Sequence, residues 1–172
     1  MLLFENTGGT LKQDKKDMSE EFMRRAIALA IDNVRSGGGG PFAALVVKGG
    51  RVIAGGVNRV TTTNDPTAHA EIVAIREACR ALKTFQLTGC DLYTTCEPCP
   101  MCLGAIYWAR PARIFYASLA SDAAEVGFDD AFIYEELKLG HAHRRFPMQQ
   151  LLRQESLVIF ALWKQQEKKT HY

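Results

Sequence analysis

Two short segments, one around residue 70 and one around residue 100, constrain this chain more than anything else in it. "DPTAHAEI" carries His69 and Glu71, and "TCEPCPMCLGA" carries Cys99 and Cys102. Each holds a proline, Pro66 or Pro100, of the kind that opens helices, where a missing N–H costs nothing. Helix N-termini carry partial positive charge and lower the pKa of thiols placed on them. Two helix starts brought face to face would present one imidazole and two thiolates to a soft divalent cation. Three ligands are the number of a catalytic zinc site, the fourth position being left to water.

On a regular helix two residues separated by one other point about 200° apart. His69 and Glu71 can therefore serve one site only by straddling the helix entrance, with Glu71 beside the metal's water and not on the metal. Zinc lowers the pKa of such a water from about 15.7 towards 7. Two thiolates formally cancel the metal's charge, so a carboxylate is needed to take the proton and return it to the substrate. His-x-Glu followed by Pro-Cys-x-x-Cys is the signature of zinc deaminases of nucleobases, with Glu as general acid/base. Competing readings leave residues over. Cys96, Cys99 and Cys102 also spell C-x-x-C-x-x-C, but an iron–sulfur cluster wants a fourth nearby cysteine and none follows Cys102. A closed structural zinc site does not explain Glu71, and a thioredoxin-like redox pair leaves His69 unused.

The 172 residues suit one domain. Residues 1–18 read as a flexible N-terminal extension, and 19–172 as a single catalytic domain. Ser19 is the expected N-cap of a first helix with Phe22, Ala26, Ile27, Ala30, Ile31 and Val34 on one face, ended by Gly37 to Gly40. Strands are predicted at 42–48 and 51–57, joined by a Gly49-Gly50 hairpin turn. A helix over 68–82, a strand over 91–95, a helix over 100–109 and a strand over 113–117 follow. "DDAFIYEELKL" is helical, 147–152 is a last strand, and 155–168 is a closing helix with Leu157, Phe160, Ala161 and Trp163 inward. A hairpin followed by β-α-β-α units gives an α/β fold, a mixed sheet covered by helices on both faces.

At these motifs the sequence resembles the cytidine deaminase-like superfamily and, within it, guanine deaminases of the short bacterial type. The likeness runs from about Glu20 to Tyr172 and is closest in "GGPFAALVVKGG", "NDPTAHAEIVAIREAC", "TTCEPCPMCLGAIYWAR", "DAAEVGFDDAFIYEE" and "KKTHY". It implies a three-layer α/β/α fold with a five-stranded mixed sheet, one Zn2+ per subunit, and hydrolysis of guanine to xanthine and ammonia. Zinc-bound hydroxide would attack C2 while Glu71 shuttles the proton. By the same resemblance Phe42 is a stacking wall, Asn58 an amide reading the base edge, Trp108 pocket lining, and Asp130 a second catalytic carboxylate near the leaving amino group. Tyr172 would be a lid residue on a tail exchanged between the subunits of a homodimer. Taken singly, these residues have plainer readings: Phe42 as core, Asn58 as a turn residue, Asp130 as an N-cap, Trp108 as packing and Tyr172 as a frayed end.

Twenty-one basic and 19 acidic side chains leave a net charge of +2, too little for a general polyanion-binding surface. That disfavours a nucleic-acid substrate, although a tRNA adenosine deaminase shares the "DPTAHAE" and "EPC-x-MC-x-GA" patterns. A deaminase of another small base (cytosine, adenine, ammeline) and a non-catalytic zinc scaffold are further alternatives. No apolar run approaches the roughly 20 residues of a membrane helix, and no signal peptide is visible, so a cytoplasmic protein is expected. Of five cysteines, Cys79 and Cys90 are expected in the core and Cys96 beside the pocket. His141 and His143 are expected at the surface.

Overall fold

The computed structural model describes residues 7–171, with side chains from residue 16 onward. Contacts divide the chain into two compact units, one ending at Asp129 and the other beginning at Asp130.

The first unit is built on a hairpin. Strands β1 (Ala43–Lys48) and β2 (Arg51–Val57) pair antiparallel around Gly49 and Gly50. Both glycines have positive φ, +56° and +74°, as the type I′ turn that matches strand twist requires. β3 (Cys90–Cys96) pairs antiparallel with β1, and β4 (Arg113–Ser118) pairs parallel with β3, giving the order β2-β1-β3-β4. The parallel step needs a crossover, supplied by helix α4 (Pro100–Ala109).

Alternation along β1 sorts the two faces. Leu45 and Val47 join Phe22 and Ala26 of helix α1 (Thr7–Arg35) and Tyr93 of β3 in one cluster. Ala44 and Val46 face the other way, packing with Ala70, Ala74 and Ala78 of helix α3 (Ala70–Leu82) and Ile106 of α4. The small side chains of α3 let it lie close on the sheet. Helix, sheet and helix thus form three layers, as expected. Two short helices complete this unit: α2 (Val60–Thr63) and α5 (Ala120–Glu125).

The second unit holds helix α6 (Ala131–Lys138), a 3-10 turn at His141–His143 and helix α7 (Arg153–Gln165). None of its described residues is buried.

Four expectations are corrected. The first helix begins at Thr7, not after Ser19. Leu11, Lys12, Gln13, Lys15 and Lys16 are good helix formers that continue the coil without needing an apolar face. Ser19 is mid-helix, and its Oγ lies 3.4 Å from the Tyr93 hydroxyl, which donates to it. The sheet has four strands among the described residues, not five. Residues 147–152 form no ladder: Leu151 and Leu152 are exposed, and Leu152 turns into the left-handed region (φ +50°) to start α7. The closing helix does form, but Leu157, Phe160, Ala161 and Trp163 are all exposed. On α1 the single apolar face divides, with Phe22, Ala26 and Ala30 buried while Ile27, Ile31 and Val34 are exposed.

Candidate metal centre and active site

His69 is the N-cap of α3, in extended backbone (φ −67°, ψ 155°). Its approach is fixed by the preceding turn. Asp65 Oδ1 accepts from the Thr67 N–H (2.8 Å) and hydroxyl (2.7 Å), and the Arg59 N–H donates to the Ala68 carbonyl (2.9 Å). Glu71 lies one residue inside the helix. The pair therefore straddles the helix entrance, as the spacing required. Cys99 is the N-cap of α4, also extended (φ −63°, ψ 166°), with Pro100 filling the first helical position. Its sulfur accepts from the Cys102 N–H at 3.5 Å, a cap made by sulfur in place of oxygen.

The two helix starts bring His69, Cys99 and Cys102 together, with all three ligand atoms within 4.8 Å of one another. Tetrahedral zinc, with Zn–S about 2.3 Å and Zn–N about 2.0–2.1 Å, sets a sulfur and a nitrogen ligand about 3.6 Å apart. Both Sγ···Nδ1 distances, from Cys99 and from Cys102, are 3.6 Å. The donor set and its spacing fit zinc. Three ligands leave a coordination position for solvent or substrate.

Glu71 is buried, 6% exposed, beside this set. Thr94 on β3 donates its hydroxyl to Glu71 Oε1 (2.9 Å), and the Cys102 thiol donates to Oε2 (3.4 Å). Burial raises the Glu71 pKa above the ordinary carboxylate value, against the lowering effect of its hydrogen bonds. Between the thiols the proton is unequally held. Cys99 is pulled down to about 4, chiefly by the bond from Cys102 and then by His69, while Cys102, the donor, is pushed up. The shared hydrogen bond thus favours the thiolate at Cys99 and the thiol at Cys102.

Of the remaining expected site residues, Phe42 and Asn58 lie together, the Asn58 N–H donating to the Phe42 carbonyl at 3.0 Å. Phe42 precedes β1 and meets Phe128 edge to face, ring centroids 4.9 Å apart, while also packing on the core. Asn58 follows β2 and is 7% exposed. Trp108, in the last turn of α4, is 64% exposed. Asp130 holds the N-cap position of α6 in the second unit but makes no side-chain capping bond. Tyr172 lies outside the described residues. Cys96 is buried with its sulfur 3.5 Å from the Leu119 carbonyl, outside the ligand cluster. Cys90 is buried and Cys79 half-buried, and burial pushes both thiols up. His141 and His143 are exposed. Thr94 escaped sequence reasoning. Its one signal was a polar residue in a strand otherwise read as buried.

A carboxyl group poised beside a three-ligand zinc set at the mouths of two helices defines a class, the zinc-dependent deaminases. The profile of the cytidine and deoxycytidylate deaminase zinc-binding region matches residues 16–118, and the chain belongs to this family. It is 54% identical to the guanine deaminase of Bacillus subtilis (strain 168) over 153 residues, 89% of this chain and 98% of that protein. The X-ray structure of guanine deaminase from Bacillus subtilis has a TM-score of 0.87 to it over the same shares of the two chains. Guanine deaminase from Nitrosomonas europaea follows at 36% identity and a TM-score of 0.61, over 63% of each chain. The tRNA-specific adenosine deaminase of Aquifex aeolicus is 43% identical over 102 residues, but that covers only 59% of this chain and 66% of that protein.

Proposed function

We propose that this chain is a zinc-dependent guanine deaminase, converting guanine and water to xanthine and ammonia. The observation that carries the reading is the buried Glu71 carboxyl beside the His69, Cys99 and Cys102 cluster, in a chain similar along 89% of its length to a guanine deaminase. The tRNA deaminase reading is weaker, because that likeness is 43% over 59% of the chain for the Aquifex aeolicus protein and 34% over 74% for that of Haemophilus influenzae, against 54% over 89% for the guanine deaminase.

His69, Cys99 and Cys102 would hold the zinc, which supplies an acidified water at neutral pH. Glu71 moves the protons. It accepts one as the water oxygen bonds to C2 and passes it to ring N3, making C2 tetrahedral. It then takes the remaining proton of the new C2 hydroxyl and delivers it to the 2-amino nitrogen, so that the C2–N bond breaks, ammonia leaves and the C2 carbonyl of xanthine forms. A carboxyl group with a raised pKa is suited to both halves of that cycle, since a general acid/base works best with its pKa near the operating pH. Thr94, by donating to Oε1, holds the carboxyl group in one orientation, with Oε2 directed to the Cys102 side of the site. Asn58 would donate to the base carbonyl and Phe42 would flank the ring. Asp130 and Trp108 would complete the pocket, and Tyr172 would close it.

The working form in this reading is a cytoplasmic homodimer that exchanges C-terminal tails. On the exposed α7, Ile159 and Phe160 are 66% and 67% exposed. A groove of about 440 Å³ in the first unit is lined by Ile27, Ile31, Val34, Pro41 and Ala117, and β4 is the edge strand of the sheet among the described residues. Apolar surface of this kind marks a partner's seat, and the partner is a second copy.

Turnover of guanine, followed by absorbance and ammonia release, is the expected result. A zinc-replete protein that leaves guanine untouched but deaminates a tRNA stem-loop would overturn the reading. Exchange has its own test. A chain lacking Thr170 to Tyr172 and a Glu71→Ala chain should each be inactive but, unfolded and reassociated together, regain about a quarter of the activity, because half the dimers then carry one complete site. No recovery on mixing would remove the exchanged tail.

A further inference from the structure

The four glycines at 37–40 end α1, but the surroundings of Gly38, Gly39 and Gly40 give those three a second task. Asn33, in the last turns of α1, is buried, and its Nδ2 donates to the carbonyls of Gly40 (3.0 Å) and Asn58 (3.2 Å). Its own carbonyl accepts from the Gly38 N–H at 2.8 Å. Side chains at 38, 39 and 40 would crowd this amide or Asn58. A Cβ on Gly38 would stand 2.4 Å from Asn33 Oδ1, and one on Gly39 (φ +145°) would stand 2.2 Å from the Asn58 carbonyl. One on Gly40 would press on the Asn58 carboxamide, at 3.2 Å from Cγ and 3.3 Å from Oδ1, and touch Phe42 Cδ2 at 3.5 Å.

The two residues thus gripped are also tied to each other. The Phe42 N–H donates to the Gly40 carbonyl (2.9 Å), and the Asn58 N–H donates to the Phe42 carbonyl (3.0 Å). Asn58 Oδ1 accepts from the Val60 N–H at 3.3 Å, which fixes the plane of its carboxamide. Nδ2 is then the edge left to donate; among the described residues it makes no hydrogen bond. An amide whose backbone, oxygen and flanking chain are all held, and whose N–H groups are spare, is preorganised to meet an acceptor on a ligand.

We propose that Asn33 is a positioning residue for substrate choice. Acting through its bond to the Asn58 carbonyl and through the glycine run, it holds Asn58 in place and so sets the enzyme's preference for purines bearing an oxygen at C6. The inference rests on Asn58 reading the base edge as proposed above.

The test compares guanine with 2-aminopurine, which keeps the 2-amino group and lacks the C6 oxygen. Asn33→Ala is expected to lower kcat/KM for guanine by about tenfold, through KM, while 2-aminopurine turnover stays within about twofold, so that discrimination collapses. In an Asn58→Ala background the Asn33 substitution should cost nothing more, since residues acting through one group are not additive. Gly40→Ala, which crowds Asn58 from the other side, should reproduce the loss and serves alone if Asn33→Ala does not fold. Equal losses on both substrates, or losses at Asn33 and Asn58 that multiply, would overturn the proposal while leaving Asn58 as a base reader. An unchanged guanine to 2-aminopurine ratio in Asn58→Ala alone would instead remove the base-reading role, and this inference with it.

Discussion

Glu71→Gln is expected to reduce guanine turnover by at least about 10³-fold, within the 10²–10⁴ range of a positioned acid/base, and to keep a full complement of zinc. The amide has the shape of the protonated acid. It can still accept from Thr94, but it can neither take a proton from water nor deliver one to the leaving amine. Zinc content measured alongside kcat separates this role from ligation. A variant that loses the metal would make Glu71 a ligand and end the proton-shuttle assignment.

The same substitution should make the metal-free protein more stable at neutral pH. Burial raises the Glu71 pKa in the folded chain. Below the ordinary carboxylate value both folded and unfolded chains hold the proton, and the group's effect is fully favourable. As the pH rises past that value the unfolded chain ionises first, and stability falls by up to about 1.4 kcal/mol per pH unit until the folded group also ionises. Glutamine has no such loss. Thermal unfolding in the presence of chelator should therefore show Glu71→Gln above the parent at pH 7 and level with it near pH 4. Equal midpoints at both pH values would mean that the carboxyl group is not held protonated by burial.

The catalytic pair of helix starts was legible because its constraints are local. A proline at the first helical position, and a His-x-Glu spacing that cannot share one helical face, dictate where each helix begins, and the extended backbone at His69 and Cys99 agrees. The hairpin was legible for the same reason, since two glycines between alternating runs admit few turns. What escaped reading depends on distant partners. Residues 147–152 have apolar side chains that suit a strand, but a strand exists only if another lies beside it, and none does among the described residues. The α7 face was read as inward because apolar periodicity reports the hydrophobic character of a face, not whether the described residues of the same chain cover it, and here they leave it exposed. Thr94 and Asn33 were passed over because a lone polar residue acquires meaning only from what the fold sets against it: a carboxyl group for Thr94, and two carbonyls and a glycine run for Asn33.

Cys102→Ser is expected to weaken zinc binding by more than about 100-fold, beyond the 10–100-fold typical of an outer-shell partner, while Cys79→Ser and Cys96→Ser leave it unchanged. Only Cys99 and Cys102 place sulfur at ligand distance from His69 Nδ1 among the described residues. The two thiols should also differ in what they release. Cys99, pulled down to about 4, is already a thiolate at pH 7, whereas Cys102 still carries its proton. A metal takes deprotonated ligands, so its binding must expel that proton. Calorimetric zinc titration of the Glu71→Gln protein at pH 7, in buffers of different ionisation enthalpy, should report about one proton released per metal. The Glu71→Gln background matters because it removes the one neighbouring carboxyl group that could contribute a second proton. Release of two would mean that Cys99 is also protonated in the metal-free site or that the zinc-bound water ionises, and repeating the titration at pH 6, below the bound water's pKa of about 7, separates the two. Release of none would mean that the unequal sharing between the two sulfurs is wrong, and that both enter the metal site as thiolates.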